Sequence, residues 1–244
     1  ERHTRQVRLP AAGRALDEAA RRLLRDLDAA VEHVREVQAG RAGVLRVGFG
    51  PTLMLSTLAH VVRTYRQRHP AVRVELRELP TGEQIAGLLA GTLDVGVVRD
   101  ADPDPRLHAD LFTREPLVIA LQRDHRLARA TRTPLSAFAH EPWVLFPRAI
   151  APRLHEQVMR LCAKAGFRPD VVQESREVYT TVGLVGAGVG VTIVPDTVRR
   201  MAWPDVVYKT IPRATVPIAM VRPSGAPSPV VEHFLALAHR TPAR

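Results

Sequence analysis

The chain has 244 residues, 45% of them hydrophobic and 25% charged, which is typical of a soluble globular protein somewhat longer than one average domain. The net charge of +10 comes almost wholly from arginine and favours contact with nucleic acid or small anions, although Arg-biased codon usage would explain it equally well. No apolar run approaches the roughly 18 residues of a membrane span, and the first residues do not form a secretion signal. We therefore expect a cytoplasmic location, with the lone Cys162 as a packed, unreactive side chain.

Residues 1–13 are polar and too short to fold alone, and three arginines without an initiator Met suggest a fragment of a longer protein. The next segment, 14–38, predicts a long amphipathic helix whose apolar residues alternate at spacings of four and three, the pattern of a coiled-coil seam. The seam consists of Leu16, Ala20, Leu23, Leu27, Ala30, Val34 and Val37. Gly40 and Gly43 follow and should separate the helix from the body, so we expect the seam to pair with a second copy. Packing of the seam onto its own domain is the alternative.

The segment 44–99 reads strand, helix, strand, helix, strand. Residues 44–49 and 93–98 are near-continuous apolar runs, as in parallel strands that are covered on both faces. The carboxyl ends of such strands form a common rim where small ligands bind. Thr52, Thr81 and Arg99 are expected at this rim, with Thr52 and Thr81 as caps of helices that run from 52 to 68 and onward from 80.

A second set of strands and helices follows and indicates a second lobe. Its expected strands are 117–121, 143–146, 171–175 and 191–194, and its expected helices are 153–165 and 178–187. Residues 100–106 and 123–133 read as loops. A strand at 216–221 and a helix at 229–239 are expected to return to the first lobe.

No constellation of catalytic residues emerges. The histidines lack metal-ligand spacing, and there is neither a nucleophile elbow nor a phosphate-binding loop. The glycines between Gly183 and Gly190 end a helix and lead into a strand, the reverse of a dinucleotide fingerprint. What remains is a binding rim, to which Gln84, Arg148 and Thr180 are further candidates. Arg99 is its sharpest member because a guanidinium binds a carboxylate in a bidentate manner; the alternative is that it pairs with Asp94 or the acidic loop after it.

Several motifs resemble the effector-binding domain of LysR-type transcriptional regulators, especially the branch that controls benzoate, catechol and chlorocatechol breakdown. They lie at residues 46–49, 65–70, 81–84, 93–99, 176–179, 183–188 and 194–195. The resemblance covers nearly the whole chain. Residues 1–13 look like the end of the family's winged helix-turn-helix, and residues 14–39 resemble its dimerising linker helix.

The resemblance implies an α/β fold: a two-lobed, type II periplasmic-binding-protein-like domain preceded by a long linker helix. On this reading residues 1–13 are the remnant of the DNA-binding domain, 14–43 the linker helix and hinge, 44–115 with 218–244 lobe I, and 116–217 lobe II. Effector contacts are implied for Thr52, Thr81 and Arg99. The chain has Pro51-Thr52-Leu53 where relatives carry two serines, so Leu53 replaces one hydroxyl. The other half of the cleft is expected near Phe146, Pro147 and Tyr179.

The sequence thus predicts the sensing and oligomerising part of a transcriptional regulator, without a metal or cofactor. Its expected partners are a small, anionic, aromatic-derived carboxylate, a second copy of the chain in a dimer or tetramer, and promoter DNA for the full-length protein only. The alternatives are a solute-binding protein of the same fold and an enzyme. An enzyme would need a proton-transfer group in the cleft, for which only Tyr179 or a stray histidine is available.

Overall fold

Helices and strands alternate along the computed structural model, which describes residues 10–99 and 104–241. The helices are α1 (Ala11–Gln38), α2 (Thr57–Arg68), α3 (Thr81–Leu89), α4 (Pro152–Lys164), α5 (Val178–Gly186) and α6 (Pro229–Arg240). The strands are β1 (Ala42–Phe49), β2 (Ala71–Glu78), β3 (Val95–Arg99), β4 (Leu107–Gln122), β5 (Pro142–Leu145), β6 (Asp170–Glu174), β7 (Thr192–Pro195) and β8 (Val206–Pro223). Three short 3₁₀ helices, here called first to third, span Pro51–Leu55, Leu135–Phe138 and Asp196–Met201.

One six-stranded mixed sheet runs through the molecule in the order β2-β1-β3-β8-β4-β7, and β5 and β6 form a separate parallel pair. β1 lies between β2 and β3 and is parallel to both, which confirms the predicted parallel strands. The carboxyl ends of these three strands consequently lie side by side. This arrangement places the residues that follow β1 next to the end of β3.

The antiparallel pair of β4 and β8 is much longer than predicted. The expected strands at 117–121 and 216–221 are parts of elements of 16 and 18 residues. The first half of β4 mixes half-buried and exposed residues without a regular alternation, and it lacks the apolar run that marks a covered strand. The β4–β8 register shifts between Leu111 and Thr113 and again between Pro116 and Val118, so the ladder is irregular midway along β4.

Buried side chains form separate cores on either side of that irregularity. The first core comprises two neighbouring clusters with residues from Leu45 to Val98 and from Ile218 to Ala238. The second core draws its buried residues from Leu117 to Val216. The predicted division at 115/116 and 217/218 falls between the residues of these two cores, and it remains a prediction.

α1 is confirmed as a long helix, and it begins at Ala11 instead of Arg14, so part of the predicted 1–13 remnant is helical. Residues 1–9 of that remnant lie outside the described part of the chain. α1 has no buried residue, which rules out the alternative that its seam packs onto its own domain. The helix ends at Gln38, and Gly40 turns the chain away with a φ of +65°. The turn is closed by hydrogen bonds from Gly40 N–H to the Val37 carbonyl and from Arg41 N–H to the Glu36 carbonyl.

The start of α2 differs from the prediction. Thr52 does not cap this helix; it lies in the first 3₁₀ helix, and α2 begins only at Thr57. Ser56 is the cap, and its hydroxyl accepts a hydrogen bond from Leu58 N–H at 3.4 Å. The capping residue was misassigned because Pro51 supports a 3₁₀ turn directly after β1. Thr81 likewise does not cap α3: Pro80 occupies the cap position, and Thr81 is the first helical residue.

Candidate functional site

Arg99 ends β3 and forms a buried ion pair with Glu115 of β4. Its Nε and Nη2 donate to the Glu115 Oε2 atom at 3.1 and 2.9 Å. The Arg99 side chain is 15% exposed and that of Glu115 only 4%. The sequence-based alternative named the wrong residue, because Asp94 instead accepts from the Arg46 N–H at 2.7 Å. The acidic residues at 100–103 lie outside the described chain.

Thr52 contacts the same guanidinium, which confirms that the residues after β1 and at the end of β3 share a rim. Its hydroxyl accepts from Arg99 Nη2 at 2.5 Å, and both Thr52 and the neighbouring Leu53 are buried. Nη1 of Arg99 lies near Gly50, at 3.7 Å from the position that a Cβ atom would take there. Among the described residues, the hydrogen bonds of this guanidinium use Nε and Nη2 only.

The second oxygen of Glu115 connects this cluster to the second core. Thr197, in the third 3₁₀ helix, donates its hydroxyl to Glu115 Oε1 at 2.5 Å. Thr52, Arg99, Glu115 and Thr197 thus form one continuous polar chain, here called the latch. A buried carboxylate is costly unless it is paired and hydrogen-bonded, and Glu115 receives bonds on both oxygens.

Sequence reasoning missed Glu115 and Thr197. Glu115 stands just before Pro116 and the apolar run that follows, and it was not assigned because the first half of β4 was not recognised as a strand. Thr197 lies two residues beyond the end of β7, as Thr52 lies three residues beyond the end of β1. The signal that could have found it is therefore the same one that identified Thr52: a hydroxyl within a few residues of the end of a buried strand.

Thr81 and Gln84, the two further rim candidates of the first lobe, differ in how deeply they are buried. Thr81 is half-buried at the first residue of α3, and no hydrogen bond within the described chain joins it to Arg99 or Thr52. Gln84 is fully buried beneath the sheet and does not lie at the rim. Its Nε2 donates to the Leu79 carbonyl at 2.8 Å, while its Oε1 packs against Gly48 and Gly96.

The predicted second half of the cleft is spread over several environments. Phe146 is buried in the second core, and its carbonyl accepts from His155 Nδ1 at 2.9 Å. Pro147 is half-buried, whereas the Tyr179 side chain is 47% exposed near the start of α5. No hydrogen bond within the described residues links these three to the latch, so their role as effector contacts remains a prediction.

The predicted dimerisation face lies open along α1. Its large members Leu16, Leu23, Leu27, Val34 and Val37 are exposed, with Leu16 at 71%. Leu24 and Val31, which extend the same stripe, are exposed as well. A contiguous exposed apolar stripe of this kind marks an interaction surface. No partner chain is present, so pairing through this face remains a prediction.

The described residues offer no other evident chemistry. No group of three or more acidic, histidine or cysteine side chains in residues 10–99 and 104–241 is placed to hold a metal ion. Within the same ranges, no helix has both the length and the apolar character to cross a bilayer. Burial raises the pKa of the Cys162 thiol to about 12, which leaves it protonated and unreactive.

Comparisons with known proteins agree with this architecture. The family model described as the LysR substrate binding domain matches residues 38–243. The transcriptional regulator ClcR of Pseudomonas putida is 33% identical over 239 residues, which cover 97% of this chain and 81% of ClcR. The crystal structure of CbnR, a LysR family transcriptional regulator, superposes with a TM-score of 0.85 at 28% identity, covering 98% of this chain and 83% of CbnR.

The effector-binding domain of BenM, solved with its effector benzoate, matches with a TM-score of 0.72 at 26% identity and covers 81% of this chain and 91% of that domain. The resemblance, the type II periplasmic-binding-protein-like fold and the absence of an enzymatic role are therefore confirmed. The chain belongs to the LysR family of transcriptional regulators, of which it contains the ligand-responsive effector-binding domain preceded by a long helix.

Proposed function

We propose that the effector is a small carboxylate, aromatic or derived from an aromatic compound, which binds between the two lobes beside the latch. The observation that carries this proposal is that Arg99 already holds a carboxylate, that of Glu115, with hydroxyls of Thr52 and Thr197 on either side. Guanidinium and hydroxyl groups in a dry setting are what an effector carboxylate needs.

On this proposal the Glu115 carboxylate and the effector carboxylate compete for the Arg99 guanidinium. The effector carboxylate forms hydrogen bonds with part of the Arg99 guanidinium and so weakens the ion pair between Arg99 and Glu115. The hydrogen bond between Thr197 and Glu115 is then weakened as well. Because Thr197 belongs to the side of the second core and Arg99 to that of the first, exchange of carboxylates would change how the lobes are held together. An effector can shift the balance between two conformations only by such differential contacts.

The likeness to the benzoate-bound domain of BenM supports an aromatic carboxylate as the first class to test. The predicted contacts Leu53, Phe146 and Pro147 would then supply apolar surface for the ring, with Thr81 and Tyr179 as polar groups. A solute-binding protein of the same fold is the competing hypothesis. It gives no reason for the exposed stripe on α1, which we assign to homo-oligomer formation. We place this regulator in the cytoplasm and assign promoter DNA to the full-length protein only.

The test is calorimetric titration of the chain with benzoate and cis,cis-muconate. Glu115→Gln keeps the shape of the side chain, with the amide oxygen still able to accept from Arg99 and the amide nitrogen donating to the Thr197 hydroxyl. It removes the competing charge, so it should tighten binding about tenfold, equivalent to about 1.4 kcal/mol. Arg99→Gln combined with Glu115→Gln should abolish the gain and bind more weakly than the unaltered chain. Glu75→Gln is the matched control, because it removes the charge of another paired carboxylate, which lies 2.8 Å from Arg73, 3.4 Å from Arg77 and 3.9 Å from Arg46. This control should leave the affinity unchanged.

If one of these ligands binds the unaltered chain and the Glu115→Gln variant with equal affinity, Glu115 does not compete with the effector and the proposed mechanism is wrong. If neither carboxylate binds, but a neutral aromatic compound does, the proposed class is wrong.

A further inference from the structure

A small cavity lies between the start of α2 and the third 3₁₀ helix. Its volume is about 310 Å³, at the lower end for small-molecule sites. It is lined by Ser56, Thr57, Ala59, His60, Arg63 and Arg200. The residues from α2 belong to the side of the first core, and Arg200 belongs to that of the second.

Two arginines converge on this cavity without a carboxylate. Several surface arginines of the described chain pair with carboxylates, for example Arg199 with Asp196 at 2.5 Å and Arg41 with Glu36 at 2.7 Å, whereas others, such as Arg66, form no ion pair among the described residues. No ion pair involves Arg63 or Arg200 within residues 10–99 and 104–241. Arg63 is held by its helix neighbour, because its Nη2 lies 3.0 Å from Nδ1 of His60. Two positive charges on one small cavity repel each other, and an anion between them would relieve that repulsion.

We propose that this cavity is a binding site for a compact dianion, with the phosphate group as the ligand chemistry. The planar guanidinium group presents paired donors that match phosphate oxygens, and two of them balance a charge of about −2. The site is separate from the latch and does not depend on the identity of the carboxylate effector.

The position of Arg200 links the two sites mechanically. Thr197 of the latch and Arg200 of the cavity are three residues apart in the third 3₁₀ helix, a spacing at which side chains of such a helix align. A dianion held by Arg63 and Arg200 would fasten this helix to α2. It would therefore stabilise the same placement of the third 3₁₀ helix that the hydrogen bond from Thr197 to Glu115 maintains.

The test measures binding of inorganic phosphate and of glycerol 3-phosphate by calorimetry at fixed ionic strength, with chloride as the reference anion. Arg63→Gln and Arg200→Gln should each weaken binding at least tenfold, because each removes one of the two guanidinium groups. The matched control is Arg66→Gln, which removes an exposed arginine of the same helix that does not line this cavity and instead faces a groove between α2 and β2. This control should stay within twofold of the unaltered chain. The stronger of the two ligands distinguishes free phosphate from a phosphate ester.

Circular dichroism confirms that each variant is folded, as expected for exposed side chains. The proposal is overturned if neither ligand binds above the chloride reference. It is equally overturned if Arg66→Gln weakens binding as much as the other two variants, because the effect would then be one of general charge. Loss of binding in Arg63→Gln alone would show that Arg200 takes no part and would overturn the bridging site.

Discussion

At the scale of single residues, the ion pair between Arg99 and Glu115 changes what a mutation at the rim should do. The sequence predicts Arg99 as a member of a ligand-binding rim. The structure instead places it against a carboxylate that is 4% exposed. Removal of one partner of a buried pair leaves an uncompensated charge, whereas removal of both charges is often tolerated.

We therefore expect Arg99→Ala to lower the free energy of unfolding by about 3 kcal/mol, the usual cost of breaking a buried pair. Arg99→Ala combined with Glu115→Gln should regain a substantial part of that loss. Urea denaturation followed by circular dichroism measures both values. Equal losses in the single and double variants would show that Glu115 is not the source of the penalty.

A second residue-scale prediction concerns His69, which stacks on His233 at a ring distance of 5.0 Å and on Tyr65 at 4.6 Å. Burial lowers the pKa of His69, with further contributions from His233 and Arg68. The unfolded chain consequently binds a proton at a higher pH than the folded one, so stability falls as the pH drops below about 6.5. His69→Gln should flatten this dependence in thermal unfolding between pH 8 and pH 5.

His140→Gln, at an exposed histidine, is the control for this experiment and should keep the dependence of the unaltered chain. An unchanged pH profile in His69→Gln would assign the loss of stability to other groups.

At the scale of elements, α1 shows that a repeating apolar pattern identifies a helix even where packing gives no support. The seam residues predicted from spacing are the residues that the structure leaves exposed. The pattern does not identify the oligomeric state, however, because the apolar stripe would be buried equally well in a dimer or in a tetramer.

We expect Leu23→Asp to shift the oligomer toward monomer in analytical ultracentrifugation, because a buried carboxylate in a coiled-coil seam has no counter-charge. Arg25→Glu, two residues away and outside the seam, should leave the assembly unchanged. A chain that is monomeric from the outset, at all concentrations tested, would favour the solute-binding alternative.

Gly40 provides a prediction about where α1 is attached. A Cβ atom at this position would lie 2.7 Å from the Pro229 carbonyl carbon, and the backbone is left-handed at φ +65°. Gly40→Ala should cost about 1–2 kcal/mol for the conformation alone and more for the clash with Pro229. Gly91→Ala, with φ +70° and no atom within 4 Å, carries the conformational cost only.

The difference between the free energies of unfolding of Gly40→Ala and Gly91→Ala therefore measures the clash. Equal values would mean that the start of α6 moves freely away from α1.

The sequence predicts an element best where one strong periodicity of apolar residues marks it. It predicts an element least well where only pairing with a distant strand determines the secondary structure. Segments such as Val95–Arg99 and Val178–Gly186 were anticipated closely because apolar runs and helical spacing mark them. The first half of β4 and the start of β8 were missed, because mixed polar residues there are ordered by pairing with each other. The same omission concealed Glu115, and with it the partner of Arg99.

At the scale of the whole molecule, β4 and β8 run side by side from the first core to the second. Their hydrogen-bond register is irregular near Phe112 and Leu117, and Arg213 of β8 has a positive φ of 60°. Bulges of this kind bend strands locally, so relative motion of the lobes can be absorbed there. The latch spans the same crossover, so the proposed exchange of carboxylates would be coupled to the shape of the molecule.

The packing of α6 determines the order in which the two cores can form during synthesis of the chain. This helix lies near the C-terminal end of the chain, yet the Tyr65 hydroxyl of α2 donates to its Val230 carbonyl at 2.9 Å, and Phe234 packs in the first core. The second core comes from one continuous segment and can form while translation proceeds, whereas the first core must wait for α6. Because Gly40 at the end of α1 rests on Pro229, the linker helix also gains its anchor only then. A nascent chain therefore exposes its apolar α1 stripe before the lobe that carries it is complete.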